Sequence, residues 1–152
     1  MFREVSISGG VPGRLFLHSM PGRRENLESA WHEIAAQRIS TIVCLAGTDE
    51  IRHKSPDYGE ALARGAAPCP VIMFEIRDFG VPKDRDAYWA LAGNLANRLV
   101  TGDSILIHCG AGGAARARWP CASCWLSGTR QMQRAALCRR PDLELRRPGS
   151  GD

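Results

Sequence analysis

The run Ser104-Ile105-Leu106-Ile107-His108-Cys109-Gly110-Ala111-Gly112-Gly113 delivers a thiol to the point where an apolar strand opens into a glycine-rich loop. Gly110, Gly112 and Gly113 let successive backbone N–H groups turn inward, because glycine takes positive φ freely. Such a nest, placed ahead of a helix, binds a tetrahedral anion. The same field favours a thiolate over a thiol. A thiolate beneath a bound phosphate is a nucleophile aimed at phosphorus. The plain alternative is a small core cysteine before a turn. Strand, His-Cys pair and glycine spacing together favour the anion cradle.

The elements that must carry this loop are legible upstream. Ile105 to Ile107 reads as a strand buried on both faces. Glu4 to Ile7 and Arg14 to His18 read as two short strands joined by a Gly9-Gly10-Val11-Pro12-Gly13 turn, with Pro21-Gly22 closing the unit. Asn26 is a cap for a helix from about Leu27 to Gln37, with Trp31 in its core face and His32 solvated. Thr41 to Leu45 is a second buried strand, holding Cys44 as inert core. Asp49 to Lys54 is polar, and Ser55-Pro56-Asp57-Tyr58 opens a short helix through Arg64. Pro70 to Ile76 reads as a further strand. A helix begins near Lys83 and runs to about Leu99, with Tyr88, Leu91, Leu95 and Leu99 on one face. Alternating strands and helices predict an α/β fold with a mainly parallel central sheet flanked by helices. Cys109 then falls at the C-terminal end of a central strand, where such sheets bind ligands.

His108, Cys109 and Gly112 resemble the signature of the cysteine-dependent protein-tyrosine and dual-specificity phosphatases: His-Cys, five residues, then Arg and usually Ser or Thr. The resemblance covers residues 1–113. It implies a phosphotyrosine phosphatase-like fold and a phosphocysteine intermediate on Cys109. His108 would support the loop, and backbone N–H groups of Gly110, Ala111, Gly112, Gly113 and Ala114 would hold the phosphate. It also implies a general acid in a mobile Gly/Pro loop some thirty residues earlier, the place of Asp78 in Arg77-Asp78-Phe79-Gly80-Val81-Pro82. Asp78 would protonate the leaving oxygen and then take a proton from the hydrolytic water. The alternative is a turn-forming Asp. Asp84 and Asp86 are rivals that read better as helix-start charges. In the resembling family the segment 49–64 and the first loop line the rim, so Arg52, Lys54 and Tyr58 are candidates to meet an anion, against a solvated charged helix. The signature arginine is missing: its place is Ala115, and the nearest guanidinium in the chain is Arg116, which reaches the phosphate only if the loop bulges.

From Ala114 the sequence changes character, with Trp119, Pro120, Cys121, Cys124 and Trp125 where the resembling family has a smooth buried helix. The genetic code supplies a hypothesis. Reading the third base of each codon with the first two of the next forces Ala across Trp119-Pro120. It permits Gly-Arg-Thr-Gly-Thr-Met-Ala-Val-Cys-Val-Leu-Leu-Ala-Leu-Gly from Gly113 to Gly128. After Cys109-Gly110-Ala111-Gly112 and one more residue, that frame restores Cys, five residues, Arg, Thr, and then an apolar helix. One base lost from a run of G near the Gly113 codon produces the chain as written. Residues 1–113 thus read as a phosphatase-like domain, and residues 114–152 as an aberrant, out-of-frame tail that disrupts the C-terminal helices. Sequencing the DNA across Gly112 to Ala114 tests this: an intact frame without a G run would sink it.

Composition sets the remaining bounds. The chain has 152 residues, enough for one domain with a core of its own. Hydrophobic residues make up 44% and charged residues 24%, ordinary globular values. No apolar run is long enough for a membrane span, and Met1-Phe2-Arg3-Glu4-Val5 does not read as a signal peptide, so a cytoplasmic location is expected. The net charge of +4 is lopsided: from Ala115 onward eight arginines face three acids, leaving −1 for the rest. GC-rich DNA read out of frame yields such a tail, so no nucleic-acid partner is inferred from it. Cys121 and Cys124 have zinc-ligand spacing but no further ligand set, so no metal and no cofactor are expected.

The expected function is hydrolysis of phosphate monoesters, on a phosphorylated protein or another such ester, with the activity of this chain impaired. The first alternative is a non-catalytic phosphate-binding pseudophosphatase. The third choice is a sulfur-transfer enzyme, which also holds a cysteine in a cradle loop but gains nothing from Asp78 or His108.

Overall fold

Five strands and four helices build the computed structural model, which describes residues 2–7, 10–76 and 82–110. They follow as β1 (Arg3–Val5), β2 (Arg14–Ser19), α1 (Leu27–Ala36), β3 (Thr41–Cys44), α2 (Thr48–Lys54), α3 (Pro56–Ala63), β4 (Val71–Met73), α4 (Arg85–Val100) and β5 (Ser104–Cys109). The sheet order is β1-β2-β5-β3-β4. The strand that carries the cysteine is therefore the middle one. It runs parallel to both neighbours, with Leu15 beside Ile105 and Ser19 beside Cys109 on one side, and Thr41 beside Ile105 and Cys44 beside His108 on the other. β4 is a parallel edge, and β1 is the one antiparallel strand among the described residues, pairing Arg3 with Leu17 and Val5 with Leu15. The expected mainly parallel α/β sheet is what forms.

Side-chain alternation along the strands explains the layers. Ile105, Ile107, Val43 and Leu15 point to one face and meet Ala92, Leu95, Ala96 and Leu99 of α4. Leu106, Ile42 and Phe16 point to the other and meet Ile34 of α1, with Trp31 packed against them. Met20, Cys44, Ala46, Ile51 and Tyr58 extend that second face under α2 and α3. Asn26 caps α1 as expected, its Oδ1 accepting from Ser29 N at 2.7 Å. Asp84 does the same for α4, from Ala87 N at 2.9 Å, so α4 starts at Arg85 rather than near Lys83.

Several boundaries differ from expectation. β1 begins earlier and ends sooner than Glu4 to Ile7. β4 is shorter than Pro70 to Ile76, although Phe74 N and Ile76 N still donate to Cys44 O and Leu45 O at 2.9 and 3.0 Å. The polar run from Asp49 to Lys54 is a helix, because one apolar residue, Ile51 at 2% exposed, anchors it. On α4 the buried face is Tyr88, Ala92, Leu95, Ala96 and Leu99, with Leu91 on its flank. Among the described residues no helix is long and apolar enough to cross a membrane.

Two glycine substitutions test this packing in opposite directions. A Cβ on Gly13 would lie 2.6 Å from the Asp103 carbonyl oxygen, where the start of β2 docks on the end of α4. Gly13→Ala is expected to cost about 1–3 kcal/mol through backbone displacement. A Cβ on Gly93, inside α4, meets nothing within 4 Å. Gly93→Ala is expected to stabilise by up to about 1 kcal/mol through helix propensity. Urea midpoints that move the same way for both variants would contradict this packing.

Candidate active site

Four parallel strands end on one edge of the sheet, and Cys109 stands at the end of the middle one, half-buried, as its last residue. The other described cysteines differ. Cys44 is fully buried, and burial pushes its thiol up to about 11. Burial also pushes the Cys69 thiol above its ordinary value. Cys44 is thus the inert core residue the sequence suggested.

His108 is 0% exposed. Its Nε2 shares a hydrogen bond of 2.8 Å with the Tyr58 hydroxyl, and the two rings meet edge-on at 5.2 Å. Its Nδ1 has no hydrogen-bond partner among the described residues. Burial, with His18 beside it as a second contributor, lowers its pKa to about 3, so the ring is neutral at pH 7. His18 pairs with His108 across the parallel ladder. Its Nδ1 donates to Ser19 O at 2.6 Å, and its Nε2 lies 3.9 Å from the Glu25 carboxylate. Burial lowers its pKa too, with Glu25 opposing.

Tyr58 is a correction to the sequence reading. It is not a rim residue for an anion: it is fully buried, wedged between His108 and Trp31, whose ring centroid is 5.8 Å away. The charged surroundings of the segment hid this, because only α3's inner face brings the ring under β5. Arg52 is exposed and lies 3.8 Å from Asp49. Lys54 is paired with Glu50. The Glu50 carboxylate in turn presses on Gly110, where any Cβ would collide with it. His32 is exposed and Trp31 half-buried in the core, as expected.

One contact was not foreseen. Arg23, in the loop after β2, donates through its guanidinium to the carbonyl oxygen of Gly110. The sequence signal was an Arg-Arg pair directly after a Pro-Gly turn, which carries no information about its long-range partner. Asp78, Ala111, Gly112, Gly113, Ala114 and Arg116 lie outside the described residues, as does the whole segment 114–152. The structure therefore brings together Cys109, His108 and Gly110 and adds Tyr58, Arg23 and Glu50. Among the described residues no three His, Cys, Asp or Glu side chains gather as a metal site.

The neutral histidines make stability fall in acid. Free histidine titrates near 6.5, and in the unfolded chain His108 takes up its proton there. In the folded chain it does so only near 3. Between those values the unfolded state binds more protons, so stability is complete above about 6.5 and declines as the pH falls, by up to about 1.4 kcal/mol per unit from this residue. His18 acts in the same direction. Unfolding free energies from urea melts at pH 7 and pH 5 are expected to differ by roughly 2 kcal/mol, with the lower midpoint at pH 5. Equal midpoints would mean that His108 is charged or solvated in the native state.

No family model and no curated protein matches this sequence. The fold is similar to that of kinase associated phosphatase, solved with its catalytic-site cysteine replaced by serine, at a TM-score of 0.61 and 20% identity. The match covers 74% of this chain, and the chain spans 65% of the length of that phosphatase. The fold, a mixed α/β sheet flanked by helices, is thus similar to that of a dual-specificity phosphatase.

Proposed function

We propose that the chain is a cysteine-dependent protein-tyrosine or dual-specificity phosphatase whose activity is impaired by loss of reading frame after Gly113. The observation that carries this is Cys109 itself. It is the last residue of the central strand, half-buried, followed at once by Gly110, on the edge where parallel α/β sheets take their ligands. The fold's likeness to kinase associated phosphatase supports a phosphoprotein as substrate.

The chemistry runs in two steps. Cys109 Sγ attacks phosphorus as the ester oxygen leaves, and Asp78 gives that oxygen its proton. Water then attacks the phosphocysteine, losing a proton to Asp78 and freeing the thiolate. Backbone N–H groups from Gly110 to Ala114 hold the phosphoryl oxygens, with Arg116 as the nearest following guanidinium. His108 is neutral and buried, so it supports the strand end and does not take part in proton transfer.

Acid quenching after mixing with a radiolabelled phosphotyrosine peptide tests the reading. The expected label sits on the peptide containing Cys109 and vanishes in Cys109→Ser. Phosphate binding without label would select the pseudophosphatase. A persulfide trapped on Cys109 would select sulfur transfer.

A further inference from the structure

We infer that Arg23 is a positioning residue of the cysteine loop, fixing its first peptide and adding a positive charge beside the bound anion; this rests on the phosphate-cradle reading above. The guanidinium donates to the Gly110 carbonyl, one residue past Cys109 and 87 residues away in sequence. A trans peptide plane turns its N–H opposite to its C=O. A donor holding the Gly110 carbonyl therefore restrains the peptide plane at the start of the loop. Arginine carries five donors in a rigid fork, so the bond to Gly110 leaves others for an oxyanion.

The loop that presents Arg23 is itself braced. Buried Ser55, at the junction of α2 and α3, donates to Pro21 O at 2.8 Å. Gly22 has φ +76°, and a Cβ there would stand 2.6 Å from Ser55 Oγ, so only glycine fits the turn. Arg23 N donates to Met20 O at 3.2 Å, closing it. Glu50 brings a negative charge to the same Gly110, offset by its partner Lys54. An anion arriving beside Gly110 thus meets a carboxylate, and among the described residues Arg23 is the cation bonded to Gly110 itself. The chain lacks the signature arginine at Ala115, which makes a guanidinium from outside the loop more consequential.

Tungstate, a phosphate mimic, is the probe, titrated calorimetrically into the full chain and its variants Arg23→Ala, Arg23→Lys and Arg24→Ala. Arg24 is exposed beside Arg23 and controls for charge alone. Arg23→Ala is expected to weaken tungstate binding about tenfold, the size of one charge-assisted hydrogen bond. Arg23→Lys should recover part of the loss, and Arg24→Ala should stay within about twofold, all with unchanged urea midpoints. Full binding by Arg23→Ala would overturn the inference and leave the cradle intact. Equal losses in Arg23→Ala and Arg24→Ala would overturn it too, reducing the effect to surface charge. A wild-type chain that takes up no tungstate would overturn the cradle reading and this inference with it.

Discussion

Inserting one base into the Gly113 codon is expected to raise hydrolysis of para-nitrophenyl phosphate at least a hundred- to thousandfold over the chain as written. On the proposed reading, two losses act together in the written chain. Ala115 stands where the signature arginine belongs, which removes a bidentate clamp on the phosphoryl oxygens. Losing one preorganised donor to a developing oxyanion costs about 3 kcal/mol or more, on the order of a hundred- to thousandfold in rate. The restored frame also exchanges an unpatterned stretch for Met-Ala-Val-Cys-Val-Leu-Leu-Ala-Leu. Each large apolar side chain it buries contributes about 1.5–3 kcal/mol. Domains of this size hold only about 5–15 kcal/mol in total. Cys109→Ser should abolish turnover in the restored protein. Equal rates before and after insertion would remove the frame hypothesis, and rapid Cys109-dependent turnover by the written chain would show that the arginine is dispensable.

Truncating Tyr58 is expected to cost about 3–5 kcal/mol, the largest single-residue effect on stability in the described structure. The ring is 0% exposed and packs edge-on against both His108 and Trp31. Tyr58→Phe isolates the hydroxyl. It keeps the ring but leaves buried Nε2 of His108 without its partner at 2.8 Å, a loss of about 1–3 kcal/mol. Urea unfolding followed by tryptophan fluorescence measures both. A Tyr58→Phe protein as stable as the parent would mean that the Tyr58–His108 bond contributes nothing net. Coupling to function is expected from position, since His108 precedes the proposed nucleophile, Cys109. A Tyr58→Phe protein with a normal midpoint in stabilising salt but weaker tungstate binding would show that the bond orients the cysteine loop.

The parts of the fold that were legible are those written in local pattern. The unbroken apolar run of β5 announced a strand buried on both faces, and Asn26 announced the start of α1. Long-range contacts left no such mark. Nothing in the charged segment around Tyr58 distinguishes a rim residue from a core one, because its burial depends on α3 lying under β5. Helix α2 was legible only as the alternative of a solvated charged helix, for a related reason: a seven-residue helix with one buried residue, Ile51, carries no apolar stripe. On α4 the leucine spacing suggested Leu91 for the inner face, yet Ala92 and Ala96 lie there, alongside Leu95 and Leu99. Small side chains let the helix approach the sheet closely. The cysteine loop is proposed from chemistry, by a cysteine beside glycines. Arg23 could not be, since the turn that aims it at Gly110 is braced by Ser55, 34 residues beyond Pro21, as well as by Gly22 beside it.

The placement of Cys109 beneath a bound oxyanion is tested most directly by alkylation mapping. The chain is treated with iodoacetamide at pH 6.5, with and without tungstate, and each cysteine is quantified by mass spectrometry. Cys109 is expected to alkylate well ahead of Cys44 and Cys69, whose thiols burial holds in the protonated form, and tungstate is expected to slow Cys109 alone. A Cys109 that reacts no faster than Cys69, at a rate indifferent to tungstate, would contradict the phosphate cradle and the function built on it.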